Sequence, residues 1–113
     1  MSTIFTKIIN KEIDSNIIYE DDNVVAFTDI NPVAPIHILI IPRKEIPTVN
    51  DIKESDKILI GDMFLVAKKI AEKYKINQTG YRLVFNCNED AGQTVFHVHM
   101  HLIGGRKLNW PPG

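Results

Sequence analysis

The sequence predicts an α+β fold, a mostly antiparallel sheet with its helices gathered on one side. One long segment carries apolar residues at helical spacing, whereas several short segments rich in β-branched residues are separated by turn residues. The chain has 113 residues, of which 44% are hydrophobic and 24% are charged, values typical of one globular domain. We therefore expect a single domain over residues 1–113.

The N-terminal half predicts one short helix and three strands. Apolar residues at helical spacing within TIFTKIINKE predict the helix. The polar turn Asp21-Asp22-Asn23 joins predicted strands at Ile17–Glu20 and Val24–Thr28 into a hairpin. The prolines of DINPVAP predict a loop, and the apolar segment IHILIIP that follows predicts a buried strand.

The C-terminal half predicts the long helix and two more strands. Residues 43–54 look irregular, and the helix runs from about Ser55 to Tyr74, with Ser55 or Asp56 as its N-cap. The face predicted to be buried consists of Ile60, Met63, Phe64, Ala67, Ile70, Ala71 and Tyr74. GYRLVFNC predicts a strand, NEDAGQT a loop and residues 96–103 the last strand, before the tail GRKLNWPPG.

Composition and charge exclude several classes of function. The net charge is −1 and no dense block of Lys and Arg is present, so we expect no nucleic-acid partner. We expect neither a signal peptide nor a membrane partner, since the apolar segments are too short to span a bilayer. Cys87 is the only cysteine, which excludes an internal disulfide and a Cys-x-x-Cys metal pair. These features predict a soluble, cytoplasmic protein.

Three of the four histidines lie at alternate positions in QTVFHVHMHLIGG. If residues 96–103 form a strand, His97, His99 and His101 share one face, and the opposite apolar face can pack on the long helix. Core packing requires no imidazoles there, because burying a row of unpaired imidazoles costs free energy. We therefore expect the imidazole face to meet solvent, a metal or a substrate.

Four interpretations of the histidine face remain open on the residues alone. A solvent-facing strand is disfavoured by three histidines in alternation. A metal site would use a common ligand, but the outer two Cα atoms lie about 13 Å apart in a strand, so convergence of all three is awkward. One imidazole could instead act as nucleophile or general base while its neighbours stabilise developing charge. The fourth interpretation pairs a histidine with Cys87 or Thr94.

The segment HVHMHLI resembles the His-x-His-x-His motif of the histidine-triad (HIT) superfamily of nucleotide hydrolases and transferases. IFTKIINKEI, IIYEDDNVVAFTDINPVAPIHILIIPRK and GQTVFHVHMHLIGGRKLNWPPG are similar to the Hint branch of purine nucleoside phosphoramidases. The resemblance covers nearly the whole chain. It implies a HIT-like five-stranded antiparallel sheet with one long and one short helix, a homodimer, an AMP-like purine nucleotide substrate, and neither cofactor nor metal.

The resemblance also implies roles for individual residues. His99 matches the nucleophile that forms a nucleotidyl-histidine intermediate, and its ring is expected to be oriented by the backbone carbonyl of His97. Asp29 matches the residue that binds the ribose hydroxyls, although an Asx-type turn before Pro32 also explains it. Phe5, Ile8, Ile18, Phe27, Ile30 and Leu39 match the residues that line the purine pocket. Asn86, Gln93, Thr94 and His101 match residues around the phosphate.

Four positions refine these implications. His37 is expected to be a satisfied buried histidine with a secondary polar role beside the triad. Thr94 replaces the usual serine, and its methyl group narrows the site for the leaving group. His101 stands where the transferase branch carries glutamine, which favours hydrolysis. Trp110, in the tail 104–113, would lie at the dimer interface and influence substrate choice. A dinucleoside polyphosphate hydrolase and a non-enzymatic nucleotide- or zinc-binding protein remain alternatives.

Overall fold

The computed structural model describes residues 3–113 and centres on one five-stranded antiparallel sheet. Its strands are Ile17–Glu20 (β1), Val24–Thr28 (β2), Ile36–Pro42 (β3), Tyr81–Val84 (β4) and Met100–Gly104 (β5). The helices are Ile4–Ile9 (α1) and Lys57–Lys73 (α2). The strand order is β1-β2-β3-β5-β4, which places the last strand of the chain between β3 and β4. No helix within residues 3–113 has both the length and the apolar character needed to cross a bilayer.

The first three strands have the bounds that the sequence predicts. The turn between β1 and β2 is held by Asp21, whose Oδ1 accepts the backbone N–H groups of Asn23 and Val24 at 2.8 Å each. An aspartate that binds the backbone two or three residues later stabilises a tight turn, which explains why this hairpin is easily predicted.

The two helices pack on opposite faces of the sheet, so the prediction that they share one side is wrong. Buried residues of α2 pack against β2, β3 and β5 in one core, which contains Val24, Ala26, Ile38, Ile40, Met63, Val66, Ala67, Ile70, Met100 and Leu102. On the other face, Phe5 and Ile8 of α1 pack with Val25, Phe27, Leu39 and Ile41. Successive side chains of β2 and β3 point to opposite faces of the sheet, so each strand contributes residues to both cores. Both faces of these two strands are therefore buried.

The long helix has the predicted Asp56 at its N-cap position, but it differs from its prediction in the bonding of that cap and on its outer face. A 3-10 turn, Glu54–Asp56, precedes α2. The predicted cap Asp56 does not bind the helix, because its carboxylate accepts the Lys53 backbone N–H at 2.9 Å and the Lys44 ammonium at 2.6 Å. Phe64, predicted to be buried, is 46% exposed, and Val66 is buried instead.

The last strand begins at Met100, four residues later than the sequence predicts. Its pairing with β3 ends at Ile40↔Met100. Before that point the Val98 N–H donates to the Ile46 carbonyl at 2.6 Å, outside the ladder. The segment that contains His97 and His99 therefore leaves the sheet and packs against the chain that follows β3. β4 is also shorter than predicted, since it ends at Val84.

Candidate active site

The three histidines of the motif have three different environments. His101 lies within β5, opposite Leu39 of β3, whereas His97 and His99 lie in the irregular segment before β5. Because this segment has left the ladder, strand alternation no longer fixes where each imidazole points. The hydrogen bonds of each ring do so instead.

His99 is held in the tautomer whose Nε2 is unprotonated. Its Nδ1 lies 2.8 Å from the His97 carbonyl oxygen, and a carbonyl only accepts, so Nδ1 must carry the proton. Burial lowers the pKa of His99 below its ordinary value of 6.5, which keeps the ring neutral at neutral pH. Phe5 packs edge-on against the same ring, with centroids 5.0 Å apart. The orienting carbonyl of His97 was predicted from the family resemblance.

His97 is fully buried, so the prediction that all three imidazoles face a polar environment is wrong for this residue. Its Nε2 donates to the Pro42 carbonyl at 2.7 Å, while its buried Nδ1 has no hydrogen-bond partner among the described residues. Burial lowers the pKa of His97, because the charged form of the ring would lose its contact with water. The ring is therefore a neutral link between the histidine segment and the end of β3.

His37 and His101 form a short hydrogen-bond chain. The Val33 N–H donates to His37 Nδ1 at 3.1 Å, so His37 carries its proton on Nε2. That Nε2–H donates to His101 Nδ1 at 2.9 Å, which leaves the proton of a neutral His101 on Nε2. Burial, followed by the neighbouring His99 and His37, lowers the pKa of His101 to about 4. His37 is thus the buried, satisfied neighbour of the triad that the sequence predicts.

A cavity of about 470 Å³ opens beside His99 and His101, within the size range of small-ligand sites. Its apolar wall contains five of the predicted pocket residues, Phe5, Ile8, Phe27, Ile30 and Leu39. Its polar wall contains Asp29, Thr94, His99 and His101. The structure therefore brings nine of the predicted site residues together around one cavity.

Asp29 makes the Asx turn that the sequence left as one alternative, and it also lines the cavity. Its Oδ1 accepts the Asn31 N–H at 2.8 Å, which is an Asx turn. Its Oδ2 lies 3.4 Å from His37 Nε2, and the residue lines the cavity. One carboxylate oxygen thus fixes the loop, and the carboxylate as a whole brings a negative charge to the cavity wall.

Three of the predicted nucleotide-binding residues lie elsewhere. Ile18 packs in the core beneath α2, on the opposite face of the sheet from its neighbour Ile17, which packs with the α1 core. Asn86 lies near the C-terminal tail, in a surface cleft shared with Trp110. Gln93 is 6% exposed and points away from the cavity into a backbone network. None of the three lines the wall of the cavity.

The tail lies against the edge strand β4. Arg82 of β4 donates to the Asn109 carbonyl at 2.9 Å, and Trp110 is 83% exposed. Within this chain Trp110 does not line the histidine cavity.

The loop that leads to the histidine segment contains a strained residue. Asn88 has φ 68° and ψ −173°, a backbone region that is almost restricted to glycine and costs about 1–3 kcal/mol for other residues. It precedes the 3-10 turn Glu89–Ala91 and is hydrogen-bonded to Gln93 through both its N–H and its carbonyl group. Such a conformation persists only where its surroundings hold it.

Asp29, His37 and His101 are the described residues whose ligand atoms cluster closely enough to consider a metal, within 4.8 Å of one another. Proton positions oppose this use. A metal on His37 Nε2 would displace its proton to Nδ1, which already accepts the Val33 N–H. Two donors would then face each other at 3.1 Å. The hydrogen-bond chain therefore favours paired imidazoles over metal ligation.

Part of the cavity wall could not be predicted from the sequence. Ile13, Asp14 and Ser15, which follow α1, line it as well. They form no periodic pattern, and only the packing of α1 on the sheet brings them there. No signal in the sequence marks them as site residues.

The fold and the site define a histidine-triad protein, in which a buried neutral imidazole presents an unprotonated nitrogen beside a nucleotide-sized cavity. The chain belongs to the HIT domain family, whose model matches residues 10–108. It is 57% identical to the purine nucleoside phosphoramidase of Escherichia coli K12 over 106 residues, which cover 94% of this chain and 89% of that relative.

Solved structures agree with this membership. A HIT family hydrolase from Legionella pneumophila superposes with a TM-score of 0.97 at 47% identity, covering 99% of this chain and 100% of that one. A histidine triad protein from Clostridium difficile gives a TM-score of 0.92 at 44% identity, covering 96% and 97%. The similarity therefore extends through the whole domain and is not confined to the histidine motif.

Proposed function

We propose that the protein hydrolyses the P–N bond of purine nucleoside 5′-phosphoramidates, with His99 as the nucleophile. The observation that carries this proposal is the His99 tautomer, because the hydrogen bond to the His97 carbonyl leaves Nε2 with a free lone pair. A neutral imidazole in this state needs no prior deprotonation before it attacks phosphorus. The 57% identity to the E. coli phosphoramidase supports the choice of substrate class.

The cavity suggests how the nucleotide lies. The purine fits the apolar end formed by α1 and β2, where Phe5 and Phe27 pack edge-to-face at 5.5 Å. The ribose hydroxyls then meet Asp29, whose carboxylate can accept hydrogen bonds from neighbouring hydroxyl groups. The phosphate comes to rest beside His99 and His101, with Thr94 at the exposed rim.

The chemistry divides into two displacements at phosphorus. His99 Nε2 attacks, the P–N bond breaks, and the leaving nitrogen keeps the electron pair and takes up a proton to depart as an amine. His101 is placed to donate a hydrogen bond from its Nε2–H to the phosphate oxygens, since this N–H is the free end of the chain that begins at His37. The proton that the leaving nitrogen takes up comes from solvent at the open cavity. Water then attacks the nucleotidyl-histidine and loses a proton to solvent, which releases the nucleoside monophosphate and restores neutral His99. In both steps the protein contributes mainly positioning and charge stabilisation.

The first experiment compares wild type with His99→Ala on adenosine 5′-phosphoramidate, with and without EDTA. We expect turnover in wild type, no effect of EDTA, and loss of turnover in the variant with AMP binding retained. Gln78 is exposed and distant in the sequence from His99, so Gln78→Ala is a control that should behave as wild type. Activity in His99→Ala, or its abolition by EDTA, would contradict the proposal. Parallel assays on P–O–P linked dinucleotides test the polyphosphatase alternative.

We also propose that two copies form a homodimer through β4 and the outer face of α2. β4 is an edge strand whose outer backbone groups have no strand partner within the described sheet. The neighbouring helix exposes Ile58 and Leu65 at 75% and 58%, and Phe64 stacks near Phe85 at 6.1 Å. Contiguous exposed apolar side chains of this kind mark interaction surfaces.

The dimer would contain the whole domain 1–113, with the tail 104–113 and Trp110 at the interface. Leu65→Glu should convert it to monomers in sedimentation experiments, whereas Lys7→Glu, at an exposed lysine of α1 on the opposite face of the sheet, should not. A monomeric wild type would contradict the proposal. A cytoplasmic location is proposed as well, because the single Cys87 leaves the chain without an internal disulfide.

A further inference from the structure

The connection between β4 and the histidine segment is held by one buried side chain. The Gln93 Oε1 accepts the Asn88 N–H at 2.8 Å, and its Nε2 donates to the carbonyls of Pro47 and Val95 at 2.8 and 3.0 Å. The Gln93 N–H in turn donates to the Asn88 carbonyl at 3.1 Å. Both amide protons and the amide oxygen are therefore used, and a flipped amide would set donor against donor at Asn88.

This network lies next to the cavity without entering it. Thr94 and Val95, the two residues after Gln93, line the cavity beside His99. Their position depends on two anchors of Gln93, one to the chain after β3 at Pro47 and one to the turn at Asn88. The segment from 93 to 98 is bonded to the segment from 42 to 47 at three points, through the carbonyls of Pro42, Ile46 and Pro47.

Asn88 makes the anchor at the turn necessary. Its backbone lies in a region that disfavours residues with a side chain, and the described contacts that oppose its relaxation are those with Gln93. If the Gln93 amide is removed, Asn88 is free to leave this conformation. The relaxation would move the chain that leads directly to Thr94.

We propose that Gln93 is a positioning residue for the hydrolysis, which keeps the Asn88 turn in its strained conformation and thereby fixes the Thr94–Val95 wall against His99. This inference rests on the proposed function for its kinetic consequence. It assigns Gln93 an effect through the backbone and not through contact with the phosphate. Misplacement of a reacting geometry by about 1 Å can cost roughly a hundredfold in rate.

The test uses Gln93→Ala, Gln93→Glu and Gln93→Ala combined with Asn88→Gly, each assayed on adenosine 5′-phosphoramidate. We expect Gln93→Ala to lower kcat by roughly 10- to 100-fold, with KM changed less than about threefold. Gln93→Glu keeps the acceptor for the Asn88 N–H but loses the donors to Pro47 and Val95. Because the anchor to the chain after β3 is then gone, we expect kcat to fall nearly as much as in Gln93→Ala. Adding Asn88→Gly should recover at least about threefold in kcat, since glycine adopts the turn without strain.

A purely structural or direct-contact role predicts different results. If Gln93 bound the phosphate, KM would rise and Asn88→Gly would recover nothing. Gln78→Ala, the same substitution at an exposed site, should leave all constants unchanged. An unchanged kcat in Gln93→Ala, or no recovery in the double variant, would overturn the proposal.

Amide hydrogen exchange separates this proposal from the proposed function. Residues 88–95 should exchange faster in Gln93→Ala and slower again when Asn88→Gly is added, whether or not the substrate is turned over. Unchanged exchange in Gln93→Ala overturns the positioning role even if wild type hydrolyses phosphoramidates. If wild type is inactive but the exchange pattern is as expected, the hydrolase proposal is overturned, and with it the kinetic role of Gln93. The role of Gln93 in holding the Asn88 turn would still be supported.

Discussion

The low pKa of His101 makes the stability of the fold depend on acid pH. In the folded protein burial lowers this pKa to about 4, whereas the unfolded chain restores the ordinary value of 6.5. Between these values the unfolded state binds more protons than the folded state, so the free energy of unfolding rises with pH. The contribution of His101 is therefore complete above pH 6.5 and is lost as the pH falls toward 4.

The magnitude follows from the two pKa values. Lowering the pH from 7.5 to 5 should remove at most about 2 kcal/mol for a group shifted from 6.5 to about 4. Because the ring is partly exposed and solvent screens it, we discount this figure to about 1 kcal/mol. With a urea m-value of about 2 kcal/mol/M, the unfolding midpoint should move by about 0.5 M.

The perturbation that isolates this effect is His101→Gln. Glutamine cannot titrate, but its amide oxygen can still accept the His37 Nε2–H. We would follow urea unfolding by far-UV circular dichroism at pH 7.5 and 5.0, at one protein concentration. Between these two pH values the unfolding midpoint should fall by about 0.5 M more in wild type than in His101→Gln. Gln78→Ala should keep the wild-type pH dependence. If His101→Gln loses as much stability as wild type, His101 does not titrate as we reason.

Three other changes test the cavity and the sheet. Asp29→Asn should raise KM about tenfold for ribonucleoside substrates, because it removes charged hydrogen bonds to the ribose. The rise in KM should be much smaller for 2′-deoxy substrates, which lack one of the two hydroxyl groups. Equal effects on both kinds of substrate would contradict the ribose role. Thr94→Ser should raise kcat/KM a few-fold for bulky leaving amines but not for ammonia, in a series of phosphoramidate assays. Gly104→Ala should destabilise the fold by about 1–3 kcal/mol in thermal unfolding, because its Cβ would lie 2.7 Å from Ile76 Cδ1 and 3.3 Å from Tyr81 Cβ.

Local patterns predicted the elements whose determinants are local. The Asp21 turn fixed the β1–β2 hairpin, and the apolar segment that ends at Pro42 defined β3. The periodicity of α2 predicted most of its buried face but misassigned Phe64, because an amphipathic pattern cannot distinguish a core contact from an apolar side chain that the fold leaves exposed.

Nonlocal contacts decided what the sequence could not predict. The histidine segment leaves the ladder because the His97 ring binds the last residue of β3, Pro42, and the Val98 N–H binds Ile46 just after it, each more than 50 residues away in the chain. Ile18 was assigned to the cavity from the family resemblance, whereas alternation with Ile17 places it in the core beneath α2. The side chain of Gln93 could not be placed from the motif, since its partners include Pro47 from a segment predicted only as irregular.

The position of β5 in the sheet has a consequence for how the protein is made. Strands β3 and β4 are not hydrogen-bonded to each other in the sheet and are joined only through β5. Of the five strands, β5 is the last that the ribosome synthesises. The bonds that orient the imidazoles span 55 residues from Pro42 to His97 and 64 from His37 to His101. Long-range pairings of this kind form late and slowly. Until residues 100–104 have emerged, a nascent chain therefore lacks both the strand that joins β4 to the rest of the sheet and the imidazole of His101, so completion of the sheet and completion of the histidine site coincide.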